Sequence, residues 1–203
     1  MHNNAILKAL DHFVLLTDIQ KKEILSCFKE HYYIKDKIIL REGFTNRLLY
    51  FIAKGVVREY QYSLSGTQKT LSFKSSGDFF TDLESFEKRK SSFVSFSAES
   101  ESVVYTIDYF LLKDLIETHK EIKMAFAKCR AHYLAIKKTR NTFLFTETVE
   151  SRVIKTYEDY PEIIKHCKKR DIISYLRTNS QIYNNILRSI PEVPVLERGI
   201  TPS

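Results

Sequence analysis

The 203-residue chain is 43% hydrophobic and 13% aromatic, which supplies a packed core and excludes a disordered polymer. No apolar run approaches the roughly 20 residues that cross a bilayer, and Met1 to Leu10 lack the basic head, apolar core and cleavage site of a signal peptide. The net charge of +7 is uneven: residues 1–119 hold 16 basic and 16 acidic side chains, and residues 120–149 hold seven basic and two acidic ones. The excess in the second half suits a polyanionic partner, with a solvated basic helix face as the alternative. Cys27, Cys129 and Cys167 are too scattered for a disulfide framework or CxxC metal spacing, so the expectation is reduced thiols in a cytoplasmic protein.

Leu7 to Lys29 carries apolar residues at three- and four-residue spacings and predicts helices, the second beginning near Ile19 with Thr17 or Asp18 as its cap. From His31 the period shortens. Strands are predicted at Tyr32–Ile34, Ile38–Leu40, Leu48–Ile52, Val56–Tyr62, Thr70–Phe73, Phe93–Ala98 and Val103–Ile107. Gly43, Gly55, Gly66 and Gly77 punctuate them at near-regular spacing, the mark of a barrel or sandwich of hairpins.

The helical period returns after Asp108, which is expected to cap a short helix ending at Thr118. Glu121 to Phe145 then runs without Gly or Pro. Ile122, Ala125, Phe126, Cys129, Tyr133, Ile136, Thr139 and Phe143 form an apolar stripe along it. A helix of about 25 residues spans roughly 37 Å. So long a stripe needs a partner, and a twin helix in a homodimer is favoured over packing on the chain's own barrel. A further helix covers Thr148 to Glu162. Asp171–Leu176 and Ser180–Ile190 form two short helices around a turn at Arg177–Asn179, with Ser180 as the expected cap. The segment after Pro191 is expected to be irregular and to form no wing.

Several segments carry a resemblance in order and spacing. They are "IILREGFTNRLLYFIAKGVVREY" (38–60), "GDFFTDLESF" (77–86), "TVESRVIKTYEDYP" (148–161) and "RDIISYLRTNSQIYNNILRSI" (170–190). Together they resemble the Crp/Fnr family of bacterial transcription regulators over nearly the whole chain. The resemblance implies an α+β fold: an N-terminal β-barrel of the double-stranded β-helix or jelly-roll type with flanking helices, a long dimerisation helix, and a C-terminal helix-turn-helix domain. The corresponding division is a cyclic-nucleotide-binding-like sensor at 1–118, a dimerisation or linker helix at 119–146, and a DNA-binding domain at 147–203.

Cyclic-nucleotide binders of this family use a glutamate for the ribose and an arginine followed by Ser or Thr for the phosphate, because a buried phosphate needs charge-assisted donors. Here Thr81 and Asp82 replace the usual Gly-Glu pair, and Ser92 and Phe93 stand at the Arg-Ser positions, with Arg89 or Lys90 as candidates to reach the site. Thr81, Asp82, Arg89 and Ser92 are therefore the candidate ligand residues, and conventional cAMP binding is not expected. Only Cys27 lies early, so no iron–sulfur cluster is expected, and lone histidines such as His12, His31, His119 and His132 give no haem ligand set; the expectation is no cofactor.

The resemblance places the recognition helix at Ser180, Gln181, Asn184, Asn185 and Arg188, residue types that can read adenine and guanine edges. Lys168, Lys169, Arg170 and Arg177 flank it for phosphate contact. Arg177 stands where glycine is usual, Gln181 where glutamate is, and Asn184-Asn185 where Ser-Arg is. Implied partners are DNA, a second copy of the chain, RNA polymerase and an unidentified small-molecule effector, with no membrane. The alternative is a ligand-binding or protein-interaction module that kept the fold but lost DNA recognition. Asp78, Asp82 and Glu84 have no basic or metal partner, and there is no Ser/His/Asp order and no P-loop, so an enzyme is not expected.

Overall fold

The computed structural model describes residues 3–189; residues 1–2 and 190–203, including the segment read above as irregular and wingless, lie outside the described residues. Two helices, α1 (Asn3–Asp11) and α2 (Asp18–Cys27), lead into the strands. Thr17 caps α2 as its sequence suggests: its hydroxyl accepts from Gln20 N–H while the Gln20 side chain accepts from Thr17 N–H.

The strands are β1 (Lys29–Tyr33), β2 (Ile38–Leu40), β3 (Leu48–Lys54), β4 (Val56–Tyr62), β5 (Gln68–Ser75), β6 (Phe79–Phe80), β7 (Ser95–Ala98) and β8 (Ser102–Asp108), with helix α3 (Leu83–Lys88) between β6 and β7. They form two four-stranded antiparallel sheets, β1-β8-β3-β6 and β2-β7-β4-β5, rather than the closed barrel expected from sequence. Among the described strands no ladder joins the two sheets, and β6, at the edge of the first, runs only two residues before Asp82 caps α3. Tyr50, Ile52, Val57, Phe80, Phe96 and Val104 fill the space between the sheets. Gly55 joins β3 to β4 at φ +107, and a Cβ there would lie 2.2 Å from Ser102 Oγ, so the turn admits only glycine without movement of β8.

Asp108 starts α4 (Tyr109–Thr118) by accepting from Phe110 N–H at 2.8 Å. The 27-residue α5 (Lys120–Thr146) follows. Ile122, Ala125, Phe126 and Cys129 of its apolar stripe are buried against α1, α2, α4 and the first sheet, and Tyr133 donates to Thr81 O. The first half of the stripe is thus covered within its own chain, while Ile136 and Phe143 are half-buried and Thr139 is exposed.

Four helices complete the fold: α6 (Val149–Asp159), α7 (Pro161–His166), α8 (Lys169–Tyr175) and α9 (Ser180–Ser189). Pro161 opens α7 instead of closing a single helix, since proline at the first helical position sacrifices no hydrogen bond. These helices share a core with the second sheet through Val56 and Phe73.

A buried cation sits at the centre of the join. Arg58 on β4, 5% exposed, places Nε 3.0 Å from Glu99 and Nη1 3.0 Å from Asp171 of α8, and donates to Gln68 at 2.7 Å. Its guanidinium lies 4.2 Å from the Tyr60 ring. Thr70 N–H donates to Ser174 Oγ, Lys35 donates to His166 O, and Lys168 pairs with Asp36 around the same contact. Arg58→Ala leaves two buried carboxylates facing each other and is expected to lower unfolding free energy by about 3–5 kcal/mol in urea titration. Arg58→Met combined with Glu99→Gln and Asp171→Asn is expected to recover most of that loss.

Candidate functional site

The segment expected to hold a ligand, residues 77–98, is occupied by its own side chains. Thr81, 3% exposed, donates to Leu48 O and accepts from Asn46 Nδ2. Asp82 spends one oxygen on the N–H groups of Glu84 and Ser85, capping α3, and the other on the Ser92 hydroxyl at 2.7 Å. Asp82 and Ser92 are therefore brought together as a hydrogen-bonded pair, while the neighbouring Thr81 hydroxyl is spent on Asn46 and Leu48. Arg89 is not brought there. It ends α3 in the left-handed conformation and lies over Tyr109 and Phe110 on the outside. Stacked Tyr50 and Phe80, with Phe96 edge-on, fill the interior. An apolar cavity of about 510 Å³, walled by Phe79, Leu83, Phe86, Leu112 and Phe126, opens between β6, α3, α4 and α5.

The inward-facing charges lie elsewhere, on residues that sequence reasoning missed. Glu59 of β4 is 3% exposed, accepts from Ser72 Oγ at 2.6 Å, and lies 3.8 Å from Lys74 and 3.9 Å from Lys137 of α5. Lys74 is 5% exposed and its ammonium sits 5.2 Å from the Tyr133 ring. Burial pulls the Lys74 pKa down to about 8 against the opposing pull of Glu59. The available signal was charge at both Glu59 and Lys74 inside otherwise strand-forming runs, which is informative only once α5 is known to cover them.

Among the described residues no group of three His, Cys, Asp or Glu side chains is placed to hold a metal ion, and no helix is long and apolar enough to cross a membrane. Burial pushes the Cys129 thiol up to about 12 and the Cys167 thiol up as well, so neither is a thiolate nucleophile at neutral pH.

The α8–α9 pair presents the second candidate surface. Arg177 adopts φ +53 in the turn, the conformation that glycine would adopt most easily. Ser180 is the first residue of α9 and not its cap; Asn179 is, its Oδ1 accepting from Ile182 N–H at 2.9 Å. Tyr183 and Leu187 point into the core, leaving Ser180, Gln181, Asn185 and Arg188 exposed and Asn184 half-buried. Of the flanking cations, Lys168 is held by Asp36, Arg170 approaches Asp171 at 3.7 Å, Lys169 lies 5.6 Å from the Tyr183 ring, and Arg177 covers Phe145 at 4.5 Å.

Residues 30–119 match the family model of the cyclic nucleotide-binding domain. No curated protein matches the chain. Among solved structures it is similar to FixK2 from Bradyrhizobium japonicum at TM-score 0.68 and 19% identity, over 80% of this chain and 83% of that one. The c-di-GMP responsive global regulator CLP from Xanthomonas campestris gives 0.66 at 15% identity, over 85% and 91%. A putative transcriptional regulator of the Crp/Fnr family from Eubacterium rectale gives 0.63 at 17%, over 86% and 83%. At these identities the likeness establishes the fold alone, a cyclic-nucleotide-binding-type sandwich with helices that matches solved Crp/Fnr-type folds.

The buried lysine sets a measurable pH dependence. An unfolded lysine has its ordinary value of 10.5, so between about pH 8 and that value the unfolded chain binds more protons and stability rises with pH from this group. Denaturant titrations of wild type and Lys74→Met are therefore expected to diverge in favour of wild type by about 2–3 kcal/mol between pH 7.5 and 10.5. Parallel curves would contradict the burial of a titrating amine.

Proposed function

We propose that this protein is a homodimeric DNA-binding transcription regulator of the Crp/Fnr type whose sandwich does not take cAMP in the usual way. The observation that carries the DNA reading is the face of α9. Gln181, Asn185 and Arg188 follow one another at spacings of four and three along the exposed side, directly opposite buried Tyr183 and Leu187. Amide and guanidinium groups on one rigid face suit base edges in a major groove. Exposed Lys169 and Arg170 supply phosphate contacts beside it, and RNA polymerase is the expected protein partner.

The sandwich reading rests on the Asp82–Ser92 pair and the spent Thr81 hydroxyl, with Arg89 turned outward, which leave no arginine fork for a cyclic phosphate there. The division of the chain into a sensor to residue 118, a linking helix and a DNA-reading unit from 147 follows the element order. The dimer rests on α5. Met124, Ala127, Ala131, Leu134, Lys138, Asn141 and Phe145 are all exposed and alternate at spacings of three and four, the a/d pattern of a two-stranded coiled coil. Lys138 and Asn141 within that seam favour one register at some cost in stability.

Selection of genomic fragments by the purified protein is expected to enrich a two-fold symmetric motif whose binding weakens steeply with salt. Asn185→Ala with Arg188→Ala is expected to lower affinity for that motif by about 1–3 kcal/mol per base contact while sparing non-specific binding. No enrichment at low salt would favour a ligand or protein-interaction module instead. Leu134→Glu is expected to convert a dimer to a monomer by light scattering and to weaken DNA binding with it, while a monomeric wild type would refute the coiled-coil seam.

A further inference from the structure

A cleft of about 400 Å³ opens where β4 and β5, α5 and the α8–α9 turn meet. We propose that it binds a small, multiply charged oxyanion and that this anion is the protein's effector. The binding claim stands on the cleft alone; the effector claim rests on the regulator reading above. Five cations line the cleft: Lys69 and Lys74 from β5, Lys137 and Arg140 from α5, and Arg177 from the turn. Among the described residues Glu59 is the single carboxylate in its wall, and its oxygens lie 3.8 and 3.9 Å from Lys74 and Lys137 while Ser72 takes the close hydrogen bond. One acid thus faces five bases.

The remaining cations have little to hold. Arg140 donates one nitrogen to Phe73 O, and its Nε is buried with no hydrogen-bond partner. Arg177 has a ring beneath it and no carboxylate within ion-pair distance, and Lys69 makes no ion pair, among the described residues. Like charges held in a concave, low-dielectric wall repel one another and focus a positive potential into the space between them. An anion with two or more charges relieves that repulsion. Lysine ammonium groups with an arginine fork suit phosphoryl or carboxylate oxygens. The volume is that of a small-molecule site, and Leu71 and Leu144 offer an apolar wall for a short carbon portion.

The position gives such an anion a consequence. Its ligands belong to the sheet, to the long helix and to the residue that turns the chain into α9. Occupancy ties that turn to the sandwich, next to the place where Arg58 already fixes α8. Thr81, Asp82, Arg89 and Ser92 take no part in this wall, so it differs from the ligand residues expected from sequence.

Calorimetry on the full chain with sodium pyrophosphate, and in a second arm with citrate, at constant ionic strength tests the proposal. Saturable binding in at least one arm is expected, and the arm that binds names the charged group of the natural ligand. Lys69→Gln and Lys137→Gln, both at exposed positions, are each expected to weaken it about tenfold, while Lys54→Gln, outside the cleft, leaves it unchanged. Absence of saturable heat in both arms, or equal affinity in all variants, overturns the site. A band shift on the same preparation separates the two readings. DNA binding without anion binding sinks this inference alone, and anion binding that leaves DNA affinity unaltered sinks the effector claim.

Discussion

Arg58 is a buried cation that reaches two carboxylates belonging to different parts of the chain, Glu99 after the sandwich strand β7 and Asp171 in α8. A charge so placed cannot be left half-paired, because the interior does not solvate it. The helical unit therefore docks on the second sheet in one orientation, and three things follow from that. The α8–α9 turn comes to rest beside β5 and α5, α9 turns its polar face outward, and the cleft rich in lysine and arginine acquires its third wall. Each oxygen of Glu99 and Asp171 that Arg58 does not reach is buried without a partner, so the contact fixes geometry more than it adds stability.

The two candidate sites differ in what their chemistry leaves open. Residues 77–98 have satisfied every polar group that a cyclic nucleotide would need: Asp82 is a helix cap, Ser92 is its donor, and Arg89 is spent on aromatic faces outside. The junction cleft is the reverse. Its cations outnumber its acids, so the favourable partner is one that comes from outside the described residues. The proposed anion would therefore sit at the seam between sandwich and helices, beside the turn into α9, and not in the interior of the sandwich.

Much of the fold was legible because it is set by local chemistry. Thr17, Asp108 and Thr148 cap helices through their own side chains, and the four glycines mark turns whose backbone angles exclude other residues at low cost. The errors came where two local explanations competed. Ser180 and Asn179 are both good capping residues, and only the backbone path shows Asn179 accepting the bond. The stripe on α5 satisfies a helix period whichever surface covers it, so periodicity found the helix but could not show that its first half, Ile122 to Cys129, is covered by the chain itself. The exposed seam from Met124 to Phe145 was overlooked because alanine, lysine and asparagine weaken its apolar signal.

The amino-acid sequence by itself determined the alternation of helical and strand regions, several helix starts such as those at Thr17 and Asp108, most turn positions and the polar character of α9, since each depends on residues within about one helical turn or one hairpin of each other; the short β6, α3 and the break between α6 and α7 had no such local signal. Tertiary structure alone decided that the two sheets stay open at their edges, that Arg58 meets Asp171 across 113 positions, and that Lys69, Lys74, Lys137, Arg140 and Arg177 converge on one cleft. Those outcomes depend on which distant charges are forced to share a low-dielectric space, and no local pattern encodes that distance.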